Sequence, residues 1–236
     1  MSSSDSVLMK IHHHPHSSNS RRAVVVALHL GAKVDFVLVD LAKGEQRRPE
    51  YLRLNPNGKV PVLEDGDLAL WESNTIAEYL CDITPKQTLL PHDLKARADV
   101  LKWTHWTSAH FSPAVGILGF ENFVKKFVTG GDPDPKEVAR GEKLVGDLLT
   151  ILERHFEDRG AKRSEPRNHG GVGGGASDDE SREWLAQDHL TLADYAVAST
   201  VFARARIKLP PLPPRVAAWL ERVESQPAWK QAEKLG

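Results

Sequence analysis

The residues best suited to chemistry fall in two short stretches. Glu72 and Ser73 stand side by side at the entrance to an apolar helical run. A carboxylate there can face a cation, and a hydroxyl beside free helix-terminal amides can receive an anion. Upstream, Val60-Pro61 leads into a β-like run. An X-Pro step removes one backbone donor and accommodates a cis bond, so the chain turns sharply and neighbouring main-chain groups are left to meet a ligand. Taken singly, Ser73 is a helix cap and Lys59 a solvated lysine; in this order they form a candidate binding strip.

The second stretch is His12, His13, His14, Pro15 and His16, followed by Ser17 and Ser18. Successive strand residues point to opposite faces, so at most His12 and His14 share one, too few for a metal site. A polar rim to an active site suits the histidines better, and no metal is expected. The single cysteine, Cys81, excludes an internal disulfide, a CxxC pair and a polycysteine zinc site. It follows an apolar helix face and reads as a small buried filler in a reducing compartment.

With 31 Lys+Arg against 32 Asp+Glu the formal charge is -1. No global field exists to collect nucleic acid or an anionic membrane. No window approaches the ~18 apolar residues that span a bilayer, and the start lacks a signal-peptide pattern. A cytoplasmic protein with small-molecule or protein partners is expected.

The elements that must position these residues follow from the changes of period. Val7 to His12 reads as a strand, Ser20 to Leu30 as a helix stopping at Gly31, Val34 to Leu41 as a strand and Pro49 to Leu54 as a short helix. Pro61 to Glu64 and Asp67 to Trp71 flank Asp65-Gly66, a hairpin signal, and Ser73 is placed to cap a helix over Asn74 to Asp82. This is a small α/β domain with a mixed sheet over residues 1–83. Residues 84–91, with two prolines, suit a linker, and 92–236 read as helix. Within them, Pro113 and Gly116 are expected to bend a long helix, Thr191 and Asp194 form a capping box, and helices are expected over Val216 to Val223 and Ala228 to Leu235. The Gly-rich stretch 160–182 is expected to form a mobile surface loop.

The segment NPNGKVPVLEDGDLALWESNTIAEYL, from Asn55 to Leu80, resembles the glutathione-binding half of glutathione transferases. EWLAQDHLTLADYA and VAAWLERVESQPAWKQA resemble that family's helical-domain capping segment and C-terminal helices, so the resemblance spans nearly the whole chain. It implies a thioredoxin-like N-terminal domain, an all-α C-terminal domain, an active site in the cleft between them and a homodimer. It also implies that Glu72 and Ser73 hold the γ-glutamyl end of glutathione, that the Val60 backbone ahead of Pro61 pairs with the cysteinyl part, and that Lys59 reaches the glycine carboxylate.

The loop His14-Pro15-His16-Ser17-Ser18-Asn19-Ser20-Arg21-Arg22 is similar to the P-x-S-S-x-x-R loop of delta- and theta-type transferases. The chain is thus identified with a bacterial, serine-type branch, delta/theta-like or beta-like, with the catalytic hydroxyl at Ser17. Ser18 competes, because the beta-class cysteine aligns there. A free thiol of pKa about 8.5 is only slightly ionised at neutral pH. Lowering it by about two units, through a hydroxyl hydrogen bond and the helix N-terminus, corresponds to roughly 2.7 kcal/mol. The hydroxyl is a donor rather than the nucleophile, so no general base is needed.

The expected reaction adds glutathione thiolate to an electrophilic, largely apolar small molecule, with His105, Trp106, His110 and Phe111 lining the acceptor pocket. Glutathione-dependent peroxide or disulfide reduction, and a non-catalytic scaffold that keeps only the fold, are the alternatives. The loop serine and the Glu-Ser pair count against the scaffold, which has no chemical use for them.

Overall fold

The computed structural model describes residues 8–161 and 184–235. They form two compact units: one runs to Leu90 and is joined by the segment from Ser225 onward, and the other is Pro91–Glu224. The last helix, expected with the helical domain, therefore groups with the first unit.

The first unit contains β1 (Met9–His13), α1 (Ser18–Leu30), β2 (Val34–Leu38), a 3-10 turn (Glu45–Arg47), α2 (Pro49–Leu54), β3 (Val62–Asp65), β4 (Leu68–Trp71) and α3 (Ser73–Ile83). Strand order is β2-β1-β3-β4, with β1 and β2 parallel and the other pairs antiparallel. Alternation along β1 turns Ile11 and His13 inward, while Lys10 stays exposed. Ile11 stands opposite Leu63 in the ladder, and both are fully buried, as are Ile76 and Leu80 of α3. Each such side chain contributes about 1.5–3 kcal/mol relative to exposure. A second cluster, Val39, Tyr51, Val60 and Val62 with Leu41 and Leu54, fixes α2 and the segment entering β3.

The hairpin is displaced by one residue from the expected turn. Asp65 still pairs with Leu68, so the turn residues are Gly66 and Asp67, and Gly66 takes φ +62°. That left-handed conformation costs glycine no clash of a β-carbon.

The second unit contains α4 (Leu94–Trp106), α5 (Ser112–Gly119), α6 (Lys125–Thr129), α7 (Pro135–Ala161), α8 (Leu192–Val201) and α9 (Pro214–Glu224). Two π-helical turns, Thr107–Phe111 and Phe120–Val124, join α4 to α5 and α5 to α6. The first precedes Pro113, and the Ser112 N–H reaches back to the Thr107 carbonyl. A proline in the opening turn of α5 lacks an amide proton and presses on the preceding turn, so a widened turn there relieves the conflict. The expected bend at Gly116 does not occur; that residue lies inside α5. The Thr191/Asp194 capping box is present at the start of α8. Asp194 is fully buried and accepts from Leu185 N, Thr191 N, Thr191 Oγ1 and Trp219 Nε1. Burial raises its pKa above the ordinary aspartate value despite those donors.

Of the Gly-rich stretch, Gly160 and Ala161 end α7, and 162–182 lie outside the described residues. The chain returns to the first unit as α10 (Pro227–Glu233), which packs on α1 with Ala228, Trp229 and Ala232 buried. Among the described residues no helix is long and apolar enough to cross a membrane. Cys81 is fully buried in α3 and forms no disulfide.

Candidate active site

β1 ends at His13 and α1 begins at Ser18, so the intervening link presents its groups at the positive end of a helix. Ser17 is the helix cap, in extended conformation, and its Oγ accepts the Ser20 N–H at 3.2 Å. Ser18 is the first helical residue, so α1 begins two residues ahead of the expected Ser20. Capping uses Ser17 Oγ as an acceptor and leaves its proton available to donate, which is the role an anion beside it requires. His14 braces the same link: its carbonyl accepts the Ser17 N–H at 3.0 Å and its N–H donates to Ser20 Oγ at 3.2 Å. Its Nδ1 also accepts the His16 N–H at 3.2 Å.

The entrance to α3 departs from its expected form. Glu72, not Ser73, occupies the cap position, at φ +72° and ψ 111°, and makes no side-chain capping bond. Such a conformation for a residue with a β-carbon costs on the order of 1–3 kcal/mol and is characteristic of functional sites. Its side chain is exposed, while Ser73, the first helical residue, is buried.

The two helix starts are tied by Arg22. This guanidinium, 2% exposed within α1, donates from Nη1 to Ser73 Oγ and to Asn74 Oδ1, each at 2.9 Å. Ser73 Oγ in turn lies 3.5 Å from Asn19 Oδ1. Burial lowers the Arg22 pKa to about 10 and the Glu72 carboxylate opposes the shift, so the group stays charged at neutral pH. Sequence reasoning missed Arg22, Asn19 and Asn74. The arginine of its loop motif falls on Arg21, whose guanidinium lies over the Trp229 ring at 5.6 Å. The available signal was one cation directly before the apolar run Ala23 to Leu28 on a helix that must be buried.

Val60–Pro61 is cis. The carbonyl of Lys59 accepts from Tyr51 Oη at 2.9 Å and Asn55 Nδ2 at 2.7 Å, while Asn55 Oδ1 takes the Asn57 N–H at 3.0 Å. Gly58 completes this loop at φ +59°, where a β-carbon would also stand 3.1 Å from the Gln46 carbonyl. Pairing of β3 with β1 begins at Val62, beyond Val60. The Lys59 side chain is exposed.

The other histidines divide their roles. His12 Nε2 pairs with Glu64 Oε1 at 2.6 Å, and buried His13 packs edge-on against Phe36. Burial lowers the His13 pKa, and the neighbouring His14, Arg21 and His12 act in the same direction. Among the described residues no group of three potential metal ligands occurs.

In the helical unit, His105 and Trp106 lie on α4, and His110 and Phe111 on the first π turn. His105 is exposed, with Nδ1 2.8 Å from the Leu101 carbonyl, and His110 is exposed. Trp106 stacks on Phe111 at 5.3 Å between centroids. Phe111 is 0% exposed, so it is a core side chain and offers no surface to a ligand, contrary to the expected pocket role.

A mixed four-stranded sheet, a cis-proline loop and two helix N-termini tied together, followed by a helical unit, define a thioredoxin-like thiol-handling architecture with an α-helical extension. Comparison with known proteins gives this class its name. Residues 8–82 match the family model of the glutathione S-transferase N-terminal domain, and 177–227 that of the C-terminal domain. The chain is 31% identical to the probable glutathione S-transferase GSTF2 of Oryza sativa subsp. japonica, covering 96% of each chain. It is 30% identical to glutathione S-transferase F10 of Arabidopsis thaliana, covering 92% and 93%. Among solved structures, glutathione transferase F7 from Populus trichocarpa superposes with TM-score 0.77 at 26% identity, covering 96% of this chain and 98% of that one. A theta-class glutathione S-transferase from Xanthomonas axonopodis pv. citri, with glutathione bound, gives 0.73 at 26%, covering 95% and 96%. The chain belongs to the glutathione S-transferase family. The similar curated proteins named here come from plants, so the narrower expectation of a bacterial branch is not carried by them.

Proposed function

We propose that the chain is a glutathione transferase that ionises the glutathione thiol and adds it to an electrophilic, largely apolar small molecule. The observation that carries this reading is the Arg22 tie between the starts of α1 and α3. That tie joins two anion-favouring helix starts of one unit, which supports a reading with a thiolate at one and an α-carboxylate at the other. In this assignment Ser17 donates to the sulfur, with Ser18 as the competing hydroxyl, which makes the mechanism serine-type. The Val60 backbone beside Pro61 pairs with the cysteinyl part. Ser73 with the first α3 amides takes the γ-glutamyl carboxylate, Glu72 faces its ammonium, and Lys59 reaches the glycine carboxylate. The ligand carboxylate would compete for the Ser73 hydroxyl proton only with the long contact to Asn19.

His105, Trp106 and His110 are assigned to the acceptor side. Assembly as a homodimer and a cytoplasmic setting belong to the same proposal; the single cysteine, buried and in no disulfide, supports a reducing compartment.

Calorimetry with glutathione tests the assignment. Glu72→Ala is expected to weaken binding at least tenfold, about 1.4 kcal/mol, and normal affinity in that variant would sink it. A panel of electrophiles, hydroperoxides and mixed disulfides then separates conjugation from reduction.

A further inference from the structure

We propose that His14 is a positioning residue for Ser17: by accepting the His16 amide, its ring holds the turn that presents the Ser17 hydroxyl, and it releases that turn on taking up a proton. The inference rests on the assignment of Ser17 to the sulfur and adds a control element to it.

Three hydrogen bonds converge on His14. Its carbonyl accepts the Ser17 N–H and closes a turn around Pro15 and His16; its N–H is held by Ser20 Oγ; its Nδ1 accepts the His16 N–H. The ring thus does what an asparagine side chain does when it accepts the amide two residues on. Ser20 N–H returns to Ser17 Oγ, so the turn and the cap form one closed set. Accepting at Nδ1 requires a neutral ring with its proton on Nε2. An imidazolium would set N–H against N–H at 3.2 Å and expel the His16 amide.

The surroundings favour the neutral ring. His14 shares a small cavity with His13, Pro15, Arg21 and Val24, closed by the uncharged Ala232 of α10 and by Leu235 just beyond it. The His16 ring lies edge-on at 5.3 Å. Burial and then His16 lower the His14 pKa, and Asp40 is the one group opposing them. On acidification two protons therefore act against the reaction: one on the glutathione sulfur stops it, and one on His14 slows it.

Two measurements test this. In the first, log kcat is followed against pH in the wild type, His14→Asn and His14→Leu. The acid limb is expected to steepen beyond a slope of about 1 across the His14 titration in the wild type and to stay at about 1 throughout in His14→Asn, which keeps an acceptor that does not titrate. His14→Leu is expected to lower kcat about tenfold at neutral pH with glutathione affinity unchanged, and His14→Asn to restore the rate. An acid slope unchanged in His14→Asn overturns the proposal.

In the second, amide shifts of the wild type are followed by NMR without glutathione. The His16 and Ser17 amides should titrate with the His14 ring at one midpoint, and shifts independent of that midpoint overturn the proposal. This readout involves no catalysis. If Ser17→Ala were fully active while both amides followed His14, the Ser17 assignment and the positioning role would fall together, whereas amides that ignore His14 would remove the positioning role and leave Ser17 assigned.

Discussion

Arg22 Nη1 lies 2.9 Å from Ser73 Oγ, a buried cation on one helix donating to the first residue of another. Removing one partner of such a buried network leaves the others desolvated without their bond, which costs more than the bond itself contributes. Arg22→Met should therefore lower stability by about 2–4 kcal/mol in urea denaturation and weaken glutathione binding, because Ser73 and Asn74 lose their common donor. Arg22→Lys, which keeps the charge but cannot reproduce the planar fork, should recover only part of both. Wild-type stability and affinity in Arg22→Met would refute the tie.

Ser17 has two functions in this structure, and two substitutions separate them. Ser17→Ala should lose about 0.5–2 kcal/mol of stability through the helix cap. It should also lose about tenfold to a hundredfold in rate where thiolate formation limits turnover, since a hydrogen bond to a charged acceptor is worth roughly 1.5–3 kcal/mol. Ser17→Gly should spare the cap to within a few tenths of a kcal/mol and lose the rate all the same. In both, the pH profile should move upward with the bound thiol. A fast Ser17→Gly enzyme beside a crippled Ser18→Ala enzyme would hand the role to Ser18.

Acid sensitivity of the fold should trace in part to His13. Its folded-state pKa is held below 6.5, chiefly by burial, so below that value the unfolded chain binds more protons than the folded one. The stabilisation is fully present above pH 6.5 and is lost as pH falls through the depressed folded-state value. The urea midpoint should decline on acidification from neutrality, and His13→Leu, keeping the contact with Phe36, should flatten that decline. An identical slope in the variant would exclude His13 as the cause.

Much of the fold was legible because its signals are local. Helix α2 was bounded correctly at Pro49 and Leu54, and β3, β4 and the capping box followed from alternation and turn residues. The start of α1 was not: the expected helix began at Ser20, and by residue type either Ser17 or Ser18 can cap a helix that starts earlier. The choice is made by the turn across Pro15, which binds the Ser17 amide to His14 and leaves Ser17 extended. The positive φ of Glu72 left no trace because no glycine marks it. Arg22 was invisible for a different reason: its partners lie on another helix, and no spacing along one chain segment encodes a contact that only tertiary packing creates.

The return of the chain to pack α10 on α1 also orders events in time. The sheet unit is built from two segments with an entire helical unit spliced between them. During synthesis its first segment emerges with the α1 surface that will receive Trp229 still bare, and Arg21 without the ring it will lie over. The sheet unit, begun before the helical unit, is thus completed after it, and the unit that carries the Ser17 loop is sealed only when residues 225–235 have been added.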